Sequence, residues 1–123
     1  MQSKTVKETM VTAAERVMPQ DTNPAGFIHG GVILKLIDSA ASVVATRHAR
    51  TNVVTASIDR MSFLQPIHVG ELVMFKASLN YVGRSSMEVG VRVEAENLTT
   101  GNVRHAATAY LTFVSLDDKG KPR

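Results

Sequence analysis

One segment constrains the fold more than any other. Residues 32–49 are Leu- and Ala-rich, run without Pro or Gly, and follow directly on Gly30-Gly31. Their length and residue types predict a helix. The segment is apolar on nearly every side, so it is expected to lie buried with sheet wrapped around it. Lys35 and Asp38 near its middle, and its length, exclude a membrane span.

The rest of the chain reads as strand. Residues 5–18 carry β-branched residues and predict a first strand, and 19–29 form a loop in which Pro19, Asp21, Asn23, Pro24 and Gly26 supply turn chemistry. Residues 52–63 predict a second strand. Val73, Phe75, Ala77, Leu79 and Tyr81 alternate with polar partners, and Met87, Val89, Val91, Val93 and Ala95 do so still more clearly. A last strand covers 103–116, followed by a polar tail at 117–123. Short connections between successive strands suit antiparallel pairing. The expectation is an α+β class chain, a single domain over residues 1–123, with one long helix against one curved antiparallel sheet.

Composition narrows the function. Hydrophobic residues make up 44% and charged residues 20%, which belongs to a folded chain and not a disordered one. The absence of Cys removes disulfides, thiolate zinc sites and thiol nucleophiles. The net charge of +3 comes from scattered residues and not from the basic stripe of a nucleic-acid binder. His48, His68 and His105 lack metal-ligand spacing, so no metal site is expected. The polar residues 1–8 carry no export signal, and a cytoplasmic protein is expected.

Two features call for a chemical explanation. Asp38 is a carboxylate inside the most apolar segment, where burial is costly without a partner and would raise its pKa. An ion pair with Lys35 at i,i+3 is the structural alternative. The second feature is the loop from Asn23 through His29 into Gly30-Gly31. Glycines at a helix start leave backbone amides uncovered at the positive end of the dipole, a place for an anion or a polarised carbonyl. Close helix–sheet packing would also call for glycine. Asn23 can orient a water or a carbonyl, or serve as an ordinary turn residue before Pro24. His29 can act as a base, or merely sit at the helix entrance.

The run from Asn23 through Gly30-Gly31 to Leu36-Ile37-Asp38 resembles the signature of hotdog-fold acyl-CoA thioesterases, of the YciA-like and cytosolic acyl-CoA hydrolase type. The similarity continues through Arg47-His48, Val54-Thr55-Ala56-Ser57, Phe63, Pro66-Ile67, Gly70-Glu71, Gly83 to Val89, Gly101, Ala109-Tyr110, Leu116-Asp117 and Gly120-Lys121-Pro122. The resemblance implies hydrolysis of acyl-CoA to a fatty acid and CoA, with no metal or cofactor. It implies that Asn23 and Asp38 are the catalytic pair and that an amide of Gly30 or Gly31 polarises the thioester carbonyl. Asp38 would activate water or act as a nucleophile forming an anhydride. The resemblance further implies that Gly83, Arg84, Ser85 and Ser86 lie against the CoA, with His29 beside the substrate. Lys119, Lys121 and Arg123 are further candidates to approach phosphates. Met61, Phe63, Met74, Phe75 and Met87 are candidates to line an acyl tunnel.

Helix geometry adds a separate constraint. Gly31 and Asp38 are about 10 Å apart along a helix at ~1.5 Å per residue. Groups acting on one atom must converge to about 3 Å. The site is therefore expected to be shared across a two-fold axis, with Asn23 and the glycine amides from one chain and Asp38 from its partner. The family often builds trimers of such dimers, so a hexamer is expected. No nucleic-acid or membrane partner is expected. Two other functions use the same fold: a non-catalytic acyl-CoA-binding module, and an enoyl-CoA hydratase or dehydratase with His29 as base.

Overall fold

The computed structural model describes residues 6–123. Its elements are a helical turn α1 (Val6–Thr9), β1 (Val11–Arg16), a 3-10 turn (Pro19–Asp21), the helix α2 (Gly30–Ala49), β2 (Val53–Phe63), β3 (Leu72–Val82), β4 (Ser86–Glu96) and β5 (Val103–Ser115). The strands form one antiparallel sheet in the order β1-β3-β4-β5-β2. This is the α+β arrangement expected, with β3, β4 and β5 as a meander. β1 and β2 occupy opposite edges, and α2 connects them across the sheet. No described helix is long and apolar enough to cross a membrane.

Ile33, Ile37, Ala40, Ala41, Val44 and Ala45 are buried on one face of α2. They meet the sheet's inner face, where Phe75, Val89, Val91, Ala109, Leu111 and Phe113 are each no more than 1% exposed. Alanines on both sides, such as Ala41 and Ala109, let helix and sheet approach closely. The helix is not enclosed, however. Lys35, Ser39, Val43 and Thr46 are exposed on its far face, because five strands cover only one side.

The first strand is shorter than expected. Its outer part winds into α1, which places the Thr9 hydroxyl where it accepts a hydrogen bond from Leu79 N at 2.9 Å. A side chain thus caps β3 beyond the end of its β1 pairing, Val11 opposite Ala77. Residue 5, also assigned to that strand, lies outside the described residues.

β2 departs from alternation at two places. The register against β5 shifts between Thr55 and Ser57 and again between Ile58 and Arg60, each shift adding one residue to β2. Directly paired residues share a face, so Ile58 follows Leu111 to the helix side. Ser57 and Asp59 stay outside, where Asp59 accepts hydrogen bonds from Ser57 and Thr112 hydroxyls. Those two bonds lower the Asp59 pKa.

The polar tail does not fray. Asp117 Oδ1 accepts from the amides of Lys119 and Lys121, both at 2.9 Å, and Arg123 N donates to Ser115 O at 2.9 Å. The Asp117 side chain folds the tail into a turn, and Arg123 returns to β5.

Candidate active site

Asn23 shapes the loop ahead of α2. Its Oδ1 accepts hydrogen bonds from the amides of Ala25 (3.0 Å) and Phe27 (3.1 Å). Two N–H donors fix the side-chain orientation, with oxygen inward. The turn role is thus the observed one: the oxygen holds the loop, and the Nδ2 hydrogens face away from these two bonds. Gly26 at φ +87° lets the turn close.

The loop delivers Gly30 and Gly31 as the first residues of α2. His29 is the N-cap and makes no side-chain cap bond. Its carbonyl accepts from Val32 and Ile33 amides, and the Gly30 and Gly31 amides have no intrahelical acceptor. A Cβ built on Gly31 would have nothing within 4 Å, and one on Gly30 would only touch Phe63 at 3.8 Å. Packing therefore does not demand glycine here. What the two glycines provide is open space in front of paired amides. A pocket of about 370 Å³ opens beside Gly30, lined mainly by Phe27, Ile33, Phe63, Leu64 and Pro66. Of the residues expected in an acyl tunnel, only Phe63 lines this pocket. Phe75 and Met87 are sealed in the core, because they alternate onto the inner face.

Asp38 faces β2, not Lys35. Its Oδ1 accepts from the Thr55 hydroxyl at 2.7 Å. It is half-buried, not fully buried, because the face of α2 beside it is uncovered. Thr55 was no candidate on sequence grounds. It pairs with core Phe113 and so looks toward the helix, a fact that only the strand register makes visible. Asp38 and the Gly31 amide belong to one helix about 10 Å apart, so one chain does not bring them together.

Gly83, Arg84 and Ser85 form the turn from β3 to β4, closed by Gly83 N donating to Ser86 O at 2.8 Å. A Cβ on Gly83 would come within 2.9 Å of Ser86 Oγ. Arg84 lines a pocket of about 410 Å³ with His48, Ala49, Thr51, Ser115 and Arg123. This places two guanidiniums at the C-terminal end of α2, far from Gly31. Lys119 and Lys121 do not line that pocket. His29 is exposed beside the glycines. Among the described residues, no three His, Asp or Glu side chains gather as a metal site would require.

The profile of the Thioesterase superfamily matches residues 25–102, from the Asn23 loop to the hairpin before β5. The chain belongs to this superfamily. Within it, the chain is 47% identical to the uncharacterized acyl-CoA thioester hydrolase YkhA of Bacillus subtilis, over 94% of this chain and 67% of that protein. The acyl-CoA hydrolase of Staphylococcus aureus, solved with butyryl coenzyme A, coenzyme A and coenzyme A disulfide, superposes with a TM-score of 0.92. It is 41% identical, over 98% of this chain and 73% of that one. A hexameric acyl-CoA thioesterase superposes at 0.95 with 40% identity, covering all of this chain and 79% of that one. The fold of this thioesterase-superfamily member is accordingly the hotdog. The S. aureus hydrolase has also been solved with an aspartate, an asparagine or a threonine replaced by alanine. Those three positions are spaced as Asn23, Asp38 and Thr55 are spaced here.

Proposed function

We propose that this chain hydrolyses acyl-coenzyme A thioesters to a free fatty acid and coenzyme A. The observation that carries this reading is the start of α2: two uncovered amides at the positive helix end, an Asn23 donor before them and an apolar pocket beside them. The thioester oxygen accepts from a glycine amide and from Asn23 Nδ2, while the acyl chain enters the pocket at Phe63. Asp38 of a second protomer takes a proton from water, and Thr55 of that same protomer holds the carboxylate through its hydroxyl. The water attacks the carbonyl carbon, the negative charge rests on the amide donors, and collapse expels the coenzyme A thiolate. The reaction calls for no metal or cofactor, since coenzyme A is itself part of the substrate and product.

Two surfaces support a shared site. β2 is an eleven-residue edge strand whose outer side has no neighbour among the described residues. Such an edge is a template for pairing. Val54, Ile58 and Phe63 along it, and Val43 on α2, are each more than 40% exposed. Pairing two β2 edges about a two-fold axis joins the sheets and covers these side chains. Three such dimers would make a hexamer.

The phosphate end follows from the same geometry. Within one chain, Gly31 and the Arg84–Arg123 pocket are separated by almost the whole helix, about 27 Å. Measured from Asp38, the helix end at Ala49 is only about 16 Å away. A partner that presents Asp38 to the Gly31 amides thus also presents Arg84 and Arg123 toward the coenzyme A phosphates. Arg84→Ala is expected to raise the KM for acyl-CoA about tenfold and to leave kcat within about twofold, since it removes charge-assisted binding remote from the bond broken. An unchanged KM means that Arg84 is a surface residue.

The decisive test is thiol release from acyl-CoAs of short to long chain. Turnover is expected; coenzyme A binding without turnover would identify a binding module, and hydration of an enoyl-CoA would identify a hydratase. Gly31→Ala separates the amide's chemical role from its structural one. Within its own chain the added methyl meets nothing within 4 Å, and alanine favours helix by up to about 1 kcal/mol. Tm is therefore expected to hold or rise while kcat/KM falls about tenfold or more, because the methyl obstructs the amide. Undiminished activity in this variant would remove Gly31 from the site.

A further inference from the structure

We infer that Glu71 and Arg104 are a positioning pair, a strut that holds the Asn23 loop and the glycine amides of α2 in register. The inference rests on the hydrolase reading for its catalytic consequence, though not for its structural one. Glu71, the residue just before β3, is 6% exposed. It meets Arg104 of β5 in a two-pronged pair, Nη1 to Oε2 at 2.6 Å and Nη2 to Oε1 at 2.7 Å. Planar guanidinium matched to carboxylate is the most directional ion pair available to a protein.

Both partners also grip the intervening loop at residues 66–70. Arg104 Nη2 donates to Pro66 O at 2.7 Å, and Glu71 Oε1 accepts from His68 N at 2.7 Å. The loop in turn forms a ladder with the Asn23 loop. Ile28 N donates to Ile67 O at 2.8 Å, and Val69 N donates to Gly26 O at 3.0 Å. The Phe27 ring stands edge-on to the His68 ring, with centroids 4.9 Å apart. Phe27 N is one of the donors that fix Asn23 Oδ1, and Ile28 is two residues before Gly30. A continuous set of short contacts therefore runs from β5 to the catalytic donors.

This strut crosses a part of the molecule with few core anchors. Residues 64–66 and 68–69 are exposed, and residues 19–31 are without a fully buried side chain. Ile67, 2% exposed, and Ile28, packed on the core, pin the two loops at one point, and hydrogen bonds fix the orientation of the rest. Hydrogen bonding from Arg104 holds the Glu71 carboxyl below the usual carboxylate range, as expected for a charge pair with satisfied partners. The pair touches neither Gly31 nor Asn23, so it acts through the loops.

Glu71→Gln tests the strut, because it keeps the shape and removes the charge. Amide exchange at residues 26–28 is expected to quicken by about tenfold or more, with Val91 in the core unaffected. In hydrolysis, kcat is expected to fall about 10- to 100-fold with KM within about twofold, since displacement of donors by a fraction of an ångström weakens the transition state. The effect should be strongly sub-multiplicative with Asn23→Ala, because both act through one loop. Should Glu71→Gln fail to fold, Arg104→Lys, which keeps the charge but loses the fork, is read in the same way. Unchanged exchange at 26–28, unchanged kcat, or a fully multiplicative double variant overturns the strut. Quickened exchange in a protein whose wild type releases no thiol would leave the strut standing and sink the hydrolase reading.

Discussion

Asp38→Asn is expected to lower kcat for acyl-CoA hydrolysis by about 10²- to 10⁴-fold, the range that a positioned general base contributes. Asparagine has nearly the same shape, and its side-chain oxygen can still accept from Thr55, so the 2.7 Å contact with β2 persists. What is lost is the ability to take a proton. Circular dichroism and Tm should therefore match wild type, and KM should change little. Measuring thiol release beside Tm separates the two effects. If folded Asp38→Asn turns over at the wild-type rate, Asp38 is not the base. Thr55→Ala should be milder, because the hydroxyl orients the carboxylate without itself accepting the proton.

The second large effect is a recovery. Asn23→Ala and Asp38→Ala homodimers are each expected to be nearly inactive. A heterodimer of the two contains one site with both lesions and one site with neither, if each site draws Asn23 from one protomer and Asp38 from the other. Random exchange makes half the dimers mixed, so the mixture should regain about a quarter of wild-type activity. A site contained within one chain predicts no recovery at all, since every chain in the mixture carries a lesion. The assay is a mixing curve after co-refolding, with thiol release against the ratio of the two variants. A flat line at the baseline would end the shared-site account.

Much of this architecture was legible because the strands obey simple periodicity. Val73, Phe75, Ala77 and Leu79, and Met87 to Ala95 at every second position, are found on the inner face. Tyr81, expected to continue the β3 pattern, is 65% exposed, because the register against β4 shifts between Leu79 and Tyr81 and leaves Tyr81 opposite Glu88. The helix was equally plain, but its exposed face was not. Val43 is as apolar as Val44, and only the position of the sheet decides which one is covered. Asn23, Asp38 and the paired glycines stood out as polar or backbone-exposing residues in unlikely places. Thr55, Glu71 and Arg104 did not. A threonine in a strand and an ion pair spanning 33 residues carry no local signal; each gains meaning only when the strands are set side by side. The tail likewise reads only as polar in sequence, and its turn, closed by Asp117 Oδ1 on the amides of Lys119 and Lys121, becomes visible in the structure.

The two irregularities in β2 keep a kind of parity. Thr55 at the near end and Met61 and Phe63 at the far end lie at odd positions and turn toward the helix, while Ile58, between the irregularities, is even and turns the same way. One extra residue flips the count, and the second flips it back. The extra residues have no partner in β5, so the pairing with β5 and not the count along β2 decides which side chains meet the helix: Thr55, Ile58 and Phe63 stand opposite Phe113, Leu111 and Ala107. A lineage that lost either extra residue would keep those pairings, and with them the hydroxyl at Asp38 and the ring at the pocket, and would lose only the local bend. Single-residue length changes at these two points should thus be tolerated as well as double ones.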